Sequence, residues 1–172
     1  MMKRLLLAAT LSLLTAGSAM AQTVVLVRHA EKVDASSDPV LSEAGQRRAR
    51  DLAVALSGSD LTHVFTSPLQ RTVLTARPAA EAHAINPEAI SLEGGTEAHV
   101  RRVAERIRTL PADAIVLVVG HSNTIPLIAD ALGEIGPAPM ADCEYDRMTV
   151  ISVRNSIDSP AIIGRYGAPS EC

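Results

Sequence analysis

The chain has 172 residues, enough for one domain and marginal for two, with 16 Lys+Arg against 19 Asp+Glu and a formal net charge of −3. That balance argues against a dedicated nucleic-acid binder, which presents a basic face. Three aromatic residues (Phe65, Tyr145 and Tyr166) leave little for an aromatic stacking platform, and an apolar fraction of 47% excludes disorder as a description of the whole chain.

The first 21 residues read as a secretory signal peptide. Lys3 and Arg4 form a basic start, Leu5 to Leu14 is apolar and uncharged, and Ala19-Met20-Ala21 is a small-x-small cleavage site. The alternative is a membrane anchor, but the uncharged stretch is at the short limit for a span and its end is polar and small. Removing residues 1–21 leaves 22–172, a soluble unit with 14 basic and 19 acidic residues. The implied destination is periplasmic or secreted, without stable membrane insertion after cleavage.

Thr23 to Arg28 is a β-branched run of the kind buried on both faces of a sheet. Ser42 opens a helix to about Ser57, followed by Gly58. His63 to Thr66 is a second strand, and Gln70 to about His83 a helix that Pro78 should kink or split. Ile85 to Leu92 reads as extended or irregular. After Gly94-Gly95, Thr96 is expected to cap a helix over about 97–109. Ile115 to Val119 is a further strand, Gly120-His121-Ser122 a turn, and Ser122 or Asn123 a cap for a helix up to Leu132. Met148 to Val153 and Ala161 to Arg165 are expected as closing strands around a turn with Asn155, Asp158 and Pro160. This alternation predicts a single α/β domain with a mostly parallel sheet.

In open α/β sheets, ligands bind beyond the C-terminal ends of the strands. Arg28-His29, the segment Ser67 to Arg71, and Gly120-His121-Ser122 each follow a predicted strand. Two Arg and two His converging at one edge make an anion site, with helix starts near Gln70 and Ser122 expected to add oriented N–H groups. One His could then attack phosphorus while the guanidiniums hold the oxygens. Taken singly, a His after a strand is more often a packing residue, and Arg28 could be a surface charge. No metal-site spacing is present among the His and carboxylates.

The ordered motifs sharpen this. VLVRHAEK (25–32), LSEAGQRRARDLA (41–53), TSPLQRTVLTARP (66–78), VVGHSNTIP (118–126) and EYDRMTVI (144–151) together resemble the histidine phosphatase superfamily, in its phosphoglycerate mutase-like branch. The resemblance implies a three-layer α/β/α sandwich and chemistry without a metal or organic cofactor. It implies His29 as the nucleophile that becomes phosphorylated, Arg28 and Arg71 as phosphate clamps, and His121 as a donor to the phosphoryl oxygens. The general acid is expected at Glu93, with Glu97, Asp142 and Glu144 as alternatives. Glu31 reads as a rim or loop-fixing charge, and His63, His83 and His99 as surface or structural residues.

Cys143 and Cys172 remain. Extending a hairpin register that pairs Thr149 with Tyr166 puts them opposite each other, and an oxidising compartment favours a disulfide over two free thiols. The expected function is an exported phosphatase acting on small phosphomonoesters through a phosphohistidine on His29. The alternatives are a phosphohistidine phosphatase or mutase of the same fold, or a non-catalytic phospho-ligand or anion-binding envelope protein. The substrate and the oligomeric state are not legible.

Overall fold

The computed structural model describes residues 21–134, 137–153 and 161–172, so the expected signal sequence up to Met20 and the turn with Asn155, Asp158 and Pro160 lie outside it. The described elements are β1 (Gln22–Arg28), α1 (Glu43–Leu56), β2 (His63–Thr66), α2 (Gln70–Ala82), β3 (Glu88–Ala89), α3 (Gly95–Arg108), β4 (Ile115–Gly120), α4 (Ile125–Ala131), β5 (Arg147–Val153) and β6 (Ile162–Arg165). One six-stranded sheet runs in the order β3-β2-β4-β1-β5-β6. The first four of these strands are parallel, and β5 and β6 are antiparallel additions.

The period-2 alternation of β1 produces the layers. Val24 and Leu26 join Val116 and Val118 under α3 and α4, where Val103, Ile107, Ile125 and Ile128 close one core. Val25 and Val27 face the other way with Leu117 and Val119, against Leu52 and Leu56 of α1 and Ala76, Ala79 and Ala80 of α2. The small alanines of α2 let that helix lie close to the sheet. The result is the three-layer α/β/α sandwich.

Four local expectations are corrected. Helix α2 runs unbroken through Pro78. Helix α3 is capped by Gly94, and Thr96 sits inside it. Helix α4 starts only at Ile125 after Thr124, because the Thr124 hydroxyl turns back to accept from His121 N at 2.9 Å. The β5–β6 register pairs Thr149 with Ile163, three residues from the expected partner.

The Cys143–Cys172 disulfide is nevertheless present, with a Cα–Cα distance of 5.3 Å. The ladder ends near Asp146, and Gly167 at φ +66° turns the chain so that the tail makes up the offset. That left-handed conformation suits glycine, whose missing Cβ would also meet Asp51 Oδ2 at 2.8 Å.

Candidate active site

The register of the parallel strands brings the expected residues together. Arg28 is level with Gly120 on β4, and Thr66 of β2 is level with Val119. The chain leaves all three strands at one edge, through His29, Ser67 and His121. The His29 N–H donates to the Gly120 carbonyl at 2.9 Å, fixing β1 to β4 at the point where both chains exit. Ala30 is fully buried, and its N–H donates to Thr75 Oγ1 of α2 at 2.9 Å.

A cleft of about 350 Å³ opens there, lined among others by Arg28, His29, Lys32, Arg71, His121 and Asp142. The His29 and His121 rings meet edge-on, with centroids 5.3 Å apart. His29 Nδ1 lies 2.8 Å from the Ala30 carbonyl. A carbonyl can only accept, so Nδ1 carries the proton and Nε2 keeps its lone pair. Burial, reinforced by the Arg28, Arg71 and Lys32 cations against the hydrogen bond to Ala30, lowers the His29 pKa to about 4. Burial first, then His29 and Arg71, lower that of His121 to about 3. Both rings are therefore neutral at pH 7.

Arg28 is buried at the end of β1. Its Nη1 donates to the carbonyls of Ala141 at 3.0 Å and Asp142 at 2.7 Å, and its guanidinium lies 4.3 Å from the centre of the Tyr145 ring. Its Nε is buried and has no partner among the described residues. A buried donor of this kind is costly unless an acceptor arrives. Arg71 comes from the first turn of α2, and its Nη1 donates to Ser37 O at 3.4 Å.

The Gln70 N–H already donates to Asp38 Oδ1 at 2.8 Å, and α4 begins beyond His121. Positive character in the cleft comes from side chains. The carboxylates also sort themselves. Glu93 is exposed and does not line the cleft, although its neighbours Leu92 and Thr96 do. Glu97 lies in a separate groove between α3 and α4. Glu144 is buried and paired with Arg147 at 2.6 Å. Asp142 is on the cleft, 3.8 Å from Arg28 Nη2 and accepting from Ser122 Oγ at 3.0 Å.

Glu31 pairs with buried Arg48 at 2.7 Å, and His63, His83 and His99 lie off the cleft. Sequence reasoning passed over Ser67, whose Oγ is 3.0 Å from His121 Nε2, and Tyr145, which supports Arg28. Ser67 sits inside the quoted segment 66–78, so its place directly after β2 was the available signal.

Residues 24–94 match the family described as the histidine phosphatase superfamily, branch 1. The chain resembles the histidine phosphatase superfamily in sequence over residues 24–94 and in fold over most of its length. Over 66 residues the chain is 44% identical to phosphoserine phosphatase 1 of Hydrogenobacter thermophilus, a match that spans 34% of this chain and 31% of that protein. A Nakamurella multipartitia structure described as a candidate phosphohistidine phosphatase is 25% identical, with a TM-score of 0.58 over 87% of this chain and 96% of its own. The mycobacterial glucosyl-3-phosphoglycerate phosphatase bound to inorganic phosphate shares the fold at 15% identity, with a TM-score of 0.63 over 87% of this chain and 98% of its own.

Proposed function

We propose that this protein is an exported enzyme that hydrolyses phosphomonoesters through a phosphohistidine on His29. The observation that carries this reading is the state of His29. It is neutral, its Nδ1–H is held by Ala30 O, and its unprotonated Nε2 belongs to a ring lining a cleft with Arg28, Arg71 and His121.

Nε2 attacks phosphorus and forms the N–P bond as the P–O bond to the leaving group breaks. Arg28, through Nε and Nη2, holds phosphoryl oxygens with Arg71 and His121, and the charge moving onto those oxygens is met by fixed donors. The leaving oxygen takes a proton. Of the expected donors Glu93, Glu97, Asp142 and Glu144, this reading takes Asp142, which lines the cleft. Ionised Asp142 then accepts a proton from the water that attacks the phosphohistidine. His29 and free phosphate are regenerated, so no metal or cofactor is needed.

Export rests on the basic-apolar-small pattern of residues 1–21 and agrees with a disulfide, which persists in oxidising compartments. Periplasmic or secreted placement follows. The phosphoserine and glucosyl-3-phosphoglycerate phosphatases among the similar proteins suit a small phosphorylated substrate.

The test is turnover of an aryl phosphate by the mature protein and by His29→Ala. Loss of a nucleophile is expected to lower kcat by roughly 10³-fold or more. Equal rates in both proteins, or none in either across several phosphate esters, would favour a phospho-ligand binder. Turnover of phosphohistidine but not of alkyl phosphates would shift the reading to a phosphohistidine phosphatase.

A further inference from the structure

Arg28 leaves the end of β1, but its guanidinium is fixed from across the site by the chain segment 141–145. Nη1 alone meets three carbonyls, those of Ala141, Asp142 and Glu144, at 3.0, 2.7 and 3.4 Å. Three acceptors on one nitrogen, with the Tyr145 ring against the guanidinium, set its roll. Nε is left buried without a partner among the described residues and Nη2 lies 3.8 Å from Asp142 Oδ1, so this edge of the guanidinium is the one that remains for oxyanion oxygens.

That carbonyl cradle is neither helix nor strand, so its own backbone ladder does not hold it. The C-terminal tail holds it, together with the ion pairs of Glu144 to Arg147 and Arg165 and the Ser122 hydroxyl on Asp142. Ser170 Oγ accepts from Tyr145 N at 2.8 Å and from Asp146 N at 3.0 Å, and donates to Asp146 Oδ1 at 2.7 Å. Cys172 is bonded to Cys143, in the middle of the cradle. Gly167, Ala168, Pro169, Glu171 and Cys172 are exposed, so little burial secures the tail. Beyond Ala168, whose carbonyl accepts from Arg48 Nη1, its fastenings are Ser170 and the disulfide.

We propose that Ser170 and the Cys143–Cys172 disulfide are positioning residues of the phosphate site: they hold the carbonyl cradle that aims Arg28, and opening the disulfide weakens phosphate capture while the sheet stays folded. This rests on the phosphatase reading. It makes full activity conditional on oxidation, through a disulfide between residues 29 apart in sequence that does not line the cleft.

The experiment compares oxidised protein, the same protein reduced under native conditions, and Ser170→Ala with the disulfide intact. The readouts are competitive inhibition by inorganic phosphate against an aryl phosphate, and the NMR signal of the Arg28 Nε–H. Reduction and Ser170→Ala are both expected to raise the Ki for phosphate by about tenfold, the scale of one charged hydrogen bond. The Arg28 Nε–H signal is expected to broaden, with unchanged far-ultraviolet circular dichroism. If reduction unfolds the protein, Ser170→Ala decides. Unchanged Ki and an unchanged Nε–H signal in the folded forms overturn the proposal. If oxidised protein neither turns over the ester nor binds phosphate, the phosphatase reading falls instead, and the NMR comparison still decides whether the tail aims Arg28.

Discussion

Two neutral imidazoles among cations define the site, and their protonation sets its pH behaviour. His29 has its pKa lowered to about 4 and His121 to about 3, both mainly by burial. Protonated His29 has no lone pair to give, so kcat/KM should fall as pH drops through about 4. It should show no inflection near 6.5, where an ordinary His titrates; a pH–rate profile checks this. Stability follows the same sign. The unfolded chain binds these protons first, so stability is fully present above about pH 6.5 and is lost as pH falls toward 4 and 3. Thermal melts from pH 7 to 4 should show the loss, and His121→Asn should flatten it. Asp142→Asn should slow alkyl phosphates by about 10²-fold, and aryl phosphates, whose leaving oxygens need less help, much less. Equal effects on the two ester classes would remove Asp142 from proton transfer. The quartet Arg28, His29, Arg71 and His121 was legible because each member directly follows a strand or opens a helix. Asp142 and Tyr145 could not be ranked, since their places depend on contacts of more than 110 residues' separation with Arg28.

At the scale of elements, the start of α1 fixes the loop that carries the nucleophile. Ser42 N donates to Glu31 O, Ser42 Oγ caps Gly45 N, and Glu31 pairs with Arg48 one turn further on. Gly45 passes so close that a Cβ there would lie 2.2 Å from Glu31 O. Gly45→Ala should therefore cost about 2–3 kcal/mol in chemical denaturation and lower kcat, since Ala30 and His29 must move with Glu31. A variant of unchanged stability and rate would show that this contact does not position the site. The element order was legible from β-branched runs and helical spacing. The ends were not: Thr96 and Ser122 look like caps, but Gly94, at φ +79°, and Thr124, whose hydroxyl accepts from His121 N, occupy those positions.

For the whole molecule, the chain carries a formal net charge of −3, while its cleft is locally positive. Capture of an anion depends on Arg28, Arg71 and Lys32 held in place, without help from the global field. The disulfide contributes at this scale too. Closing a loop of its length constrains the unfolded chain by about 3–4 kcal/mol. Reduction should lower the unfolding free energy by that amount and leave a folded domain, as a typical stability of about 5–15 kcal/mol allows. Urea titrations with and without reductant measure it. The pairing of the two cysteines was legible, but by a hairpin register that is three residues from the one formed; Gly167 supplies the difference, through a turn that spacing alone does not reveal.

Every step of the proposed reaction depends on a covalent phosphate on His29. Protein mixed with an aryl phosphate labelled in its phosphoryl group and quenched in base within milliseconds should carry base-stable, acid-labile label on the peptide containing His29, and His29→Ala should carry none. Turnover without such label at any quench time, or label that persists in His29→Ala, would contradict the account.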